Sequence, residues 1–172
     1  MQIFASTTSL GRGCTDLADI LPAMMDLGLD GIEIGSTHRW RPDLARIIER
    51  HRLARVLTHN YFPPAPADLV INLASPDAKV RQASIAHAQA CIDFAADLGA
   101  ELYTVHPGFM AITATAVTRR TPGTAFDFDF VGAGVPYELA FTLMRDAIGD
   151  LLGHAQRTGV RLAIETEGSI TR

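Results

Sequence analysis

The chain has 172 residues, 48% of them hydrophobic, with two cysteines and a formal net charge of −4. That length supports one domain over residues 1–172 with a substantial core, and the acidic balance opposes a protein built around a nucleic-acid backbone. Two thiols are too few for a disulfide framework, no apolar run approaches the ~20 residues that cross a bilayer, and Met1-Gln-Ile-Phe-Ala-Ser6 lacks the basic and apolar segments of a signal peptide, so a reducing cytoplasm is the expected setting.

Gln2 to Thr7 predicts a first strand, followed by a turn through Gly11 and Gly13. Thr15 is placed to cap a helix running to Leu27, with Gly28 just past its end. Pro22 falls inside this helix and either kinks it or marks its effective first turn. Gly31 to Ile34 reads as a second strand, and Pro42 suits the first turn of a helix continuing to about His51. Arg39, Arg41, Arg46, Arg50, Arg52 and Arg55 concentrate positive charge here, the pattern of a solvated helix face.

A third strand runs from Ala54 to His59, and Pro63, Pro64 and Pro66 then hold the chain extended. Ser75-Pro76-Asp77 opens the clearest helix, with Ser75 as cap and Pro76 at the first helical position. Val80, Ser84, Ala88, Cys91, Ala95 and Leu98 form its buried stripe, and Gly99 ends it. The fourth strand, from Leu102, stops at His106-Pro107-Gly108. Phe109 to Pro136 is long for a connection, and the alternation in Phe126-Asp-Phe-Asp-Phe130 predicts a small hairpin or lid, or else a patch against another subunit. Tyr137 to Arg157 is the last helix, with Leu139, Leu143, Leu151, Leu152 and Ala155 on its buried side. Gly159 ends it, and a fifth strand leads from Val160 to Glu165.

Five strands alternating with four helices predict an α/β domain with one parallel sheet. Each unit uses roughly 34 residues, the share of one unit in a ~250-residue (β/α)8 barrel, so the fold expected is a partial TIM barrel of five parallel strands. An open doubly wound sheet fits the length better, but the first strand lacks a Gly-rich phosphate loop.

His59, His106 and Glu165 each stand where a strand runs out, at one edge of such a sheet. Two imidazoles and a carboxylate suit Zn²⁺ or Mn²⁺, with a position open for water or substrate. The plainer reading of each histidine is a hydrogen-bonded packing residue. Around them, His38 and Tyr61 are candidates to line a pocket, Arg39 and Arg41 to hold a substrate phosphate, and Glu167 to assist as a second carboxylate. Glu33 reads as a strand residue with a structural partner.

The stretches His59-Asn-Tyr-Phe-Pro-Pro64, Ile71-Asn-Leu-Ala-Ser-Pro76, His106-Pro107-Gly108 and Ile164-Glu165-Thr166, with Gly28-Leu-Asp-Gly-Ile-Glu33 before them, resemble the xylose-isomerase-like TIM barrel superfamily. That group contains sugar isomerases and epimerases and the endonuclease IV apurinic nucleases. The resemblance implies a divalent metal on His59, His106 and Glu165. In the endonuclease branch, ligands from these three strands hold one ion of a cluster. In the sugar epimerases one metal sits mainly on strands five to eight, and of that apparatus only Glu165 is present, as ligand and catalytic base. Three functions follow as expectations: a sugar or sugar phosphate isomerase or epimerase moving a proton next to a carbonyl, an apurinic-site phosphodiesterase, or a non-catalytic truncated barrel. The last would need self-association or a partner to cover its open sheet edges.

Overall fold

The computed structural model of the chain describes residues 2–10, 16–35, 37–66, 69–110 and 134–165. In chain order the elements are β1 (Phe4–Ser6), α1 (Thr7–Leu10), α2 (Leu17–Met25), β2 (Gly31–Ile34), α3 (Leu44–Arg50), β3 (Val56–His59), α4 (Ala78–Asp97), β4 (Leu102–Val105), α5 (Tyr137–Thr158) and β5 (Arg161–Ile164). The strands form one sheet in the order β1-β2-β3-β4-β5, and every neighbouring pair is parallel. A doubly wound sheet reverses its strand order at a switch point, so this sequential winding excludes it. The fold is five units of a (β/α)8 barrel. Among the described residues β1 and β5 each pair on one side only.

The helix termini show which local signals prevailed. Asp16 caps α2, its carboxylate accepting from the Ala18 amide at 3.0 Å; the expected cap, Thr15, lies outside the described residues, as do Gly11, Gly13, Cys14 and the Phe126–Phe130 segment. Pro22 is accommodated inside α2 on its exposed side. Asp77, and not Ser75, caps α4: its carboxylate accepts from Lys79 N at 2.8 Å, and its carbonyl accepts the helical bond from Arg81. Ser75 is buried just before it, with its hydroxyl accepting from Asp77 N. The extra turn α1, directly after β1, was not foreseen; Thr7 within it is buried and polar.

Successive residues of a strand face opposite sides of the sheet, so one face of each strand meets the helices. Ile32, Ile34, Val56, Tyr103 and Val105 are buried there against Leu17, Leu21 and Met24 of α2, Ile47 and Ile48 of α3, and Ile92 of α4. Small side chains let α4 and α5 approach closely: Ala88, Cys91 and Ala95 on one, Ala147 and Ala155 beside Leu151 on the other. Burial pushes the Cys91 thiol far above its ordinary pKa, so it acts as a small apolar filler. Leu139 and Leu152 are 45% exposed and do not join the buried side of α5 as expected. Leu151 and Ala155 are buried as expected, and Ala140 and Ala147 complete the stripe. The opposite sheet face, the side that a complete barrel encloses, carries Glu33, Leu57, His59 and Thr104, all partly exposed.

Candidate metal centre

Strand register brings the candidate ligands together. His59 pairs with Thr104, and Thr104 pairs with Ala163; His106 and Glu165 each lie two residues further along, on the same sheet face. The ladder continues just past the strands, Asn60 N donating to Thr104 O and Glu165 N to Val105 O. His59 Nε2 lies 3.0 Å from His106 Nε2 and 2.7 Å from Glu165 Oε2, and His106 Nε2 lies 3.1 Å from the same oxygen. Three donor atoms thus form one small triangle at the C-terminal edge of the sheet. An ion bound tetrahedrally at ~2.0–2.1 Å separates its ligand atoms by about 3.3 Å, so small side-chain rotations would admit it. Two borderline nitrogens and one hard oxygen match Zn²⁺ or Mn²⁺, and the donor set fits the group.

The side chains differ in exposure: both imidazoles are 15% accessible, Glu165 48%. Burial pushes the Glu165 carboxyl up, but its bonds to His106 and His59 outweigh this and hold it below the ordinary carboxylate value. A carboxyl held low stabilises the folded chain above its unfolded pKa, and that contribution is lost as pH falls through the folded value. In chelator, the stability gap between the parent chain and Glu165→Gln is therefore expected to persist through neutral pH and close on the acid side. With Glu165 nearly half exposed, solvent screening keeps the gap small. A gap that widens on acidification, in thermal melts across pH, would contradict this.

Two buried residues hold the His106 strand end. The Tyr61 hydroxyl donates to the His106 carbonyl at 2.7 Å, while Tyr61 N donates to the Tyr103 hydroxyl at 3.1 Å. Asn60 and Tyr61 adopt φ of 47° and 62°, so the chain leaves β3 through left-handed turn residues before it reaches the prolines. Asn72 is fully buried; its Oδ1 accepts from Ala74 N and Phe109 N, and its Nδ2 donates to Phe109 O. Gly108, at φ 114°, packs so closely that an added Cβ would stand 2.3 Å from Asn72 Oδ1. Gly108→Ala is expected to cost about 2–4 kcal/mol in urea unfolding, from strain plus displacement of Asn72. Parent-like stability would refute the close packing.

The model of the xylose isomerase-like TIM barrel family matches residues 21–171. The chain belongs to the xylose isomerase-like TIM barrel family. No curated protein sequence matches it significantly. Among solved structures, a D-psicose 3-epimerase in the presence of D-fructose aligns with TM-score 0.68 and 17% identity, covering 100% of this chain and 54% of that one. The TTHB071 protein of Thermus thermophilus, soaked with ZnCl2, aligns at 0.58 and 24% identity, covering 98% and 56%. Endonuclease IV of Thermus thermophilus aligns at 0.50 and 18% identity, covering 97% and 52%. At these identities the likeness establishes the shared fold. The chain spans about half the length of the structures it matches.

The remaining candidates lie apart from the triangle of His59, His106 and Glu165. His38 is wholly buried, its Nε2 2.6 Å from the Thr7 hydroxyl, which also accepts from Gly35 N; it ties the loop after β2 to α1. Arg41 is bound by Asp16 at 2.8 Å and Asp43 at 2.9 Å, and its pKa is raised by these bonds. Arg39 is exposed on the same loop. Tyr61 is buried behind His106, and Glu167 lies outside the described residues. Sequence reasoning missed Asn72 as a support of the centre; its place between an apolar residue and Leu73-Ala74 before a helix was the available signal. Among the described residues no helix is long and apolar enough to cross a membrane.

Proposed function

We propose that the chain acts as a divalent-metal-dependent sugar or sugar phosphate isomerase or epimerase. The observation that carries this is the convergence of His59 Nε2, His106 Nε2 and Glu165 Oε2 at the C-terminal edge of a barrel sheet, where this architecture places its chemistry. The D-psicose 3-epimerase among the structural neighbours supports a hydroxyketone substrate. His59, His106 and Glu165 would hold Zn²⁺ or Mn²⁺, which when bound supplies polarisation of a substrate carbonyl or hydroxyl. Glu165 stays ionised at neutral pH, its Oε2 turned to the imidazoles, and Oε1 is the atom we assign to the proton next to the carbonyl. That proton passes to Oε1, the electron pair moves into the carbonyl to give an enediolate, and return of a proton completes a redox-neutral isomerisation. Arg41 is held by two carboxylates, so a phosphate contact is assigned to exposed Arg39.

The test is solvent-deuterium exchange into a ketohexose, followed by NMR with Zn²⁺ or Mn²⁺ present. The expected result is exchange at the carbon next to the carbonyl, abolished by chelator and by Glu165→Gln. No exchange in the loaded protein would overturn the assignment. A second reading has its own support: a His-His-Glu set is the ligand pattern of one ion in the endonuclease branch, although a net charge of −4 opposes a DNA partner. Incision of an abasic-site duplex by the loaded chain, without exchange, would favour it. Among the described residues β1 and β5 each pair on one side only, and with Leu139, Phe141, Leu152 and Ile164 exposed this supports self-association or a partner at these edges. Sedimentation tests this: a strictly monomeric species would argue against it.

A further inference from the structure

We propose that Glu33 is the positioning carboxylate of the metal centre: it takes the proton-bearing Nδ1 of His59 and thereby turns the lone pair of Nε2 toward the ion. This rests on the reading that the triad binds a divalent metal. His59 presents its two ring nitrogens to different surroundings. Nε2 belongs to the triangle with His106 and Glu165, while Nδ1 is buried and without a hydrogen-bond partner among the described residues. A buried ring nitrogen left this way calls for an explanation, since such groups are nearly always paired.

Glu33 supplies one. It sits on β2, where it pairs with Leu57, and His59 lies two residues beyond Leu57 on β3, so both side chains face the same side of the sheet. Glu33 Oε1 stands 3.8 Å from His59 Nδ1, and the Glu33 carboxylate has no hydrogen-bond partner among the described residues. Closure to a bond of ~2.8 Å needs about 1 Å of movement by a flexible, 25% accessible side chain. Gly35 packs beside the ring, and a Cβ there would stand 3.7 Å from Nδ1, in van der Waals contact.

The chemistry sets the direction of the effect. A metal-bound Nε2 must offer its lone pair, so a neutral His59 carries its proton on Nδ1 and becomes a donor there. A carboxylate accepting that proton fixes the tautomer and the ring orientation and makes Nε2 more basic. Without it, Nδ1–H has no acceptor, and the tautomer with the proton on Nε2, bonded to Glu165, competes with metal binding.

The test uses the full chain and its Glu33→Ala and Glu33→Gln variants, with two readouts. Imidazole ¹⁵N spectra of the metal-free protein report the His59 tautomer, and competition titration reports Zn²⁺ affinity. Glu33→Ala is expected to lower the population of the Nδ1–H form and weaken Zn²⁺ binding by about 10–100-fold, with Glu33→Gln between it and the parent. Far-UV circular dichroism of the variants is expected to match the parent, which separates the effect from misfolding. An unchanged His59 tautomer with unchanged Zn²⁺ affinity would overturn the proposal. Failure of the parent chain itself to bind Zn²⁺ would sink the underlying metal reading instead, while the metal-free spectra still decide whether Glu33 governs His59.

Discussion

Zn²⁺ added to the metal-free chain at 100 times its dissociation constant is expected to stabilise it by about 2.7 kcal/mol, since the ion binds the folded site and not the dispersed ligands. For a chain of this size that corresponds to a rise in Tm of about 5–10 °C. His59 and His106 come from neighbouring strands and Glu165 from the next, so the site exists only when three strands are in register. Replacing any one by alanine removes a third of the protein donor set. We expect His59→Ala, His106→Ala and Glu165→Ala each to weaken binding by at least ~100-fold, more than the loss of an outer partner. At the same Zn²⁺ concentration the stabilisation then shrinks to about 0.4 kcal/mol, a shift in Tm of about 1 °C. Differential scanning fluorimetry with a metal series reads this directly. Parent-like shifts in all three variants would place the metal elsewhere.

The second large effect is expected at Asn72, which touches no candidate ligand. Among the described residues its side chain bonds Ala74 N, Phe109 N and Phe109 O, and the last two belong to the loop that follows His106. Alanine removes these three bonds and leaves a cavity next to Gly108. A loss of about 2–4 kcal/mol is expected, visible as a fall in Tm of about 5–15 °C. Aspartate is expected to be no better, because a carboxylate would face the Phe109 carbonyl where the amide now donates. Both variants are also expected to bind Zn²⁺ more weakly than the parent, since the loop that follows His106 loses its bonds to Asn72. Thermal melts and metal titration together check this. A variant that melts early yet binds as the parent would confine Asn72 to a purely structural role.

The parts legible in the sequence were those governed by local rules. Strand positions followed from short apolar runs bounded by turn residues, and β2 begins and ends where its pattern predicts, at Gly31 and Ile34. Gly159 ends α5 in the left-handed conformation expected of it. The alignment of His59, His106 and Glu165 at strand ends was legible because sequential parallel strands put their C-termini at one edge. What could not be read depends on register and on partners far apart in the chain. Glu33 faces His59 only because β2 and β3 pair as they do, and a shift of one residue would turn it to the helix side. Arg41 reads in sequence as open to a phosphate, yet Asp16, 25 residues away, holds it. His38 reads as a pocket residue, yet the unforeseen turn α1 brings the Thr7 hydroxyl to it. Leu139 and Leu152 were assigned to the core from hydrophobicity, whereas close packing against α4 selected the alanine stripe.

The central claim is that two imidazoles and one carboxylate share a single divalent ion. The zinc K-edge absorption spectrum of the chain loaded with one equivalent of Zn²⁺ tests it most directly. Nitrogen and oxygen neighbours are expected at ~2.0–2.1 Å, with outer scattering from two imidazole rings. A sulfur neighbour at ~2.3 Å, or scattering from fewer than two rings, would contradict it.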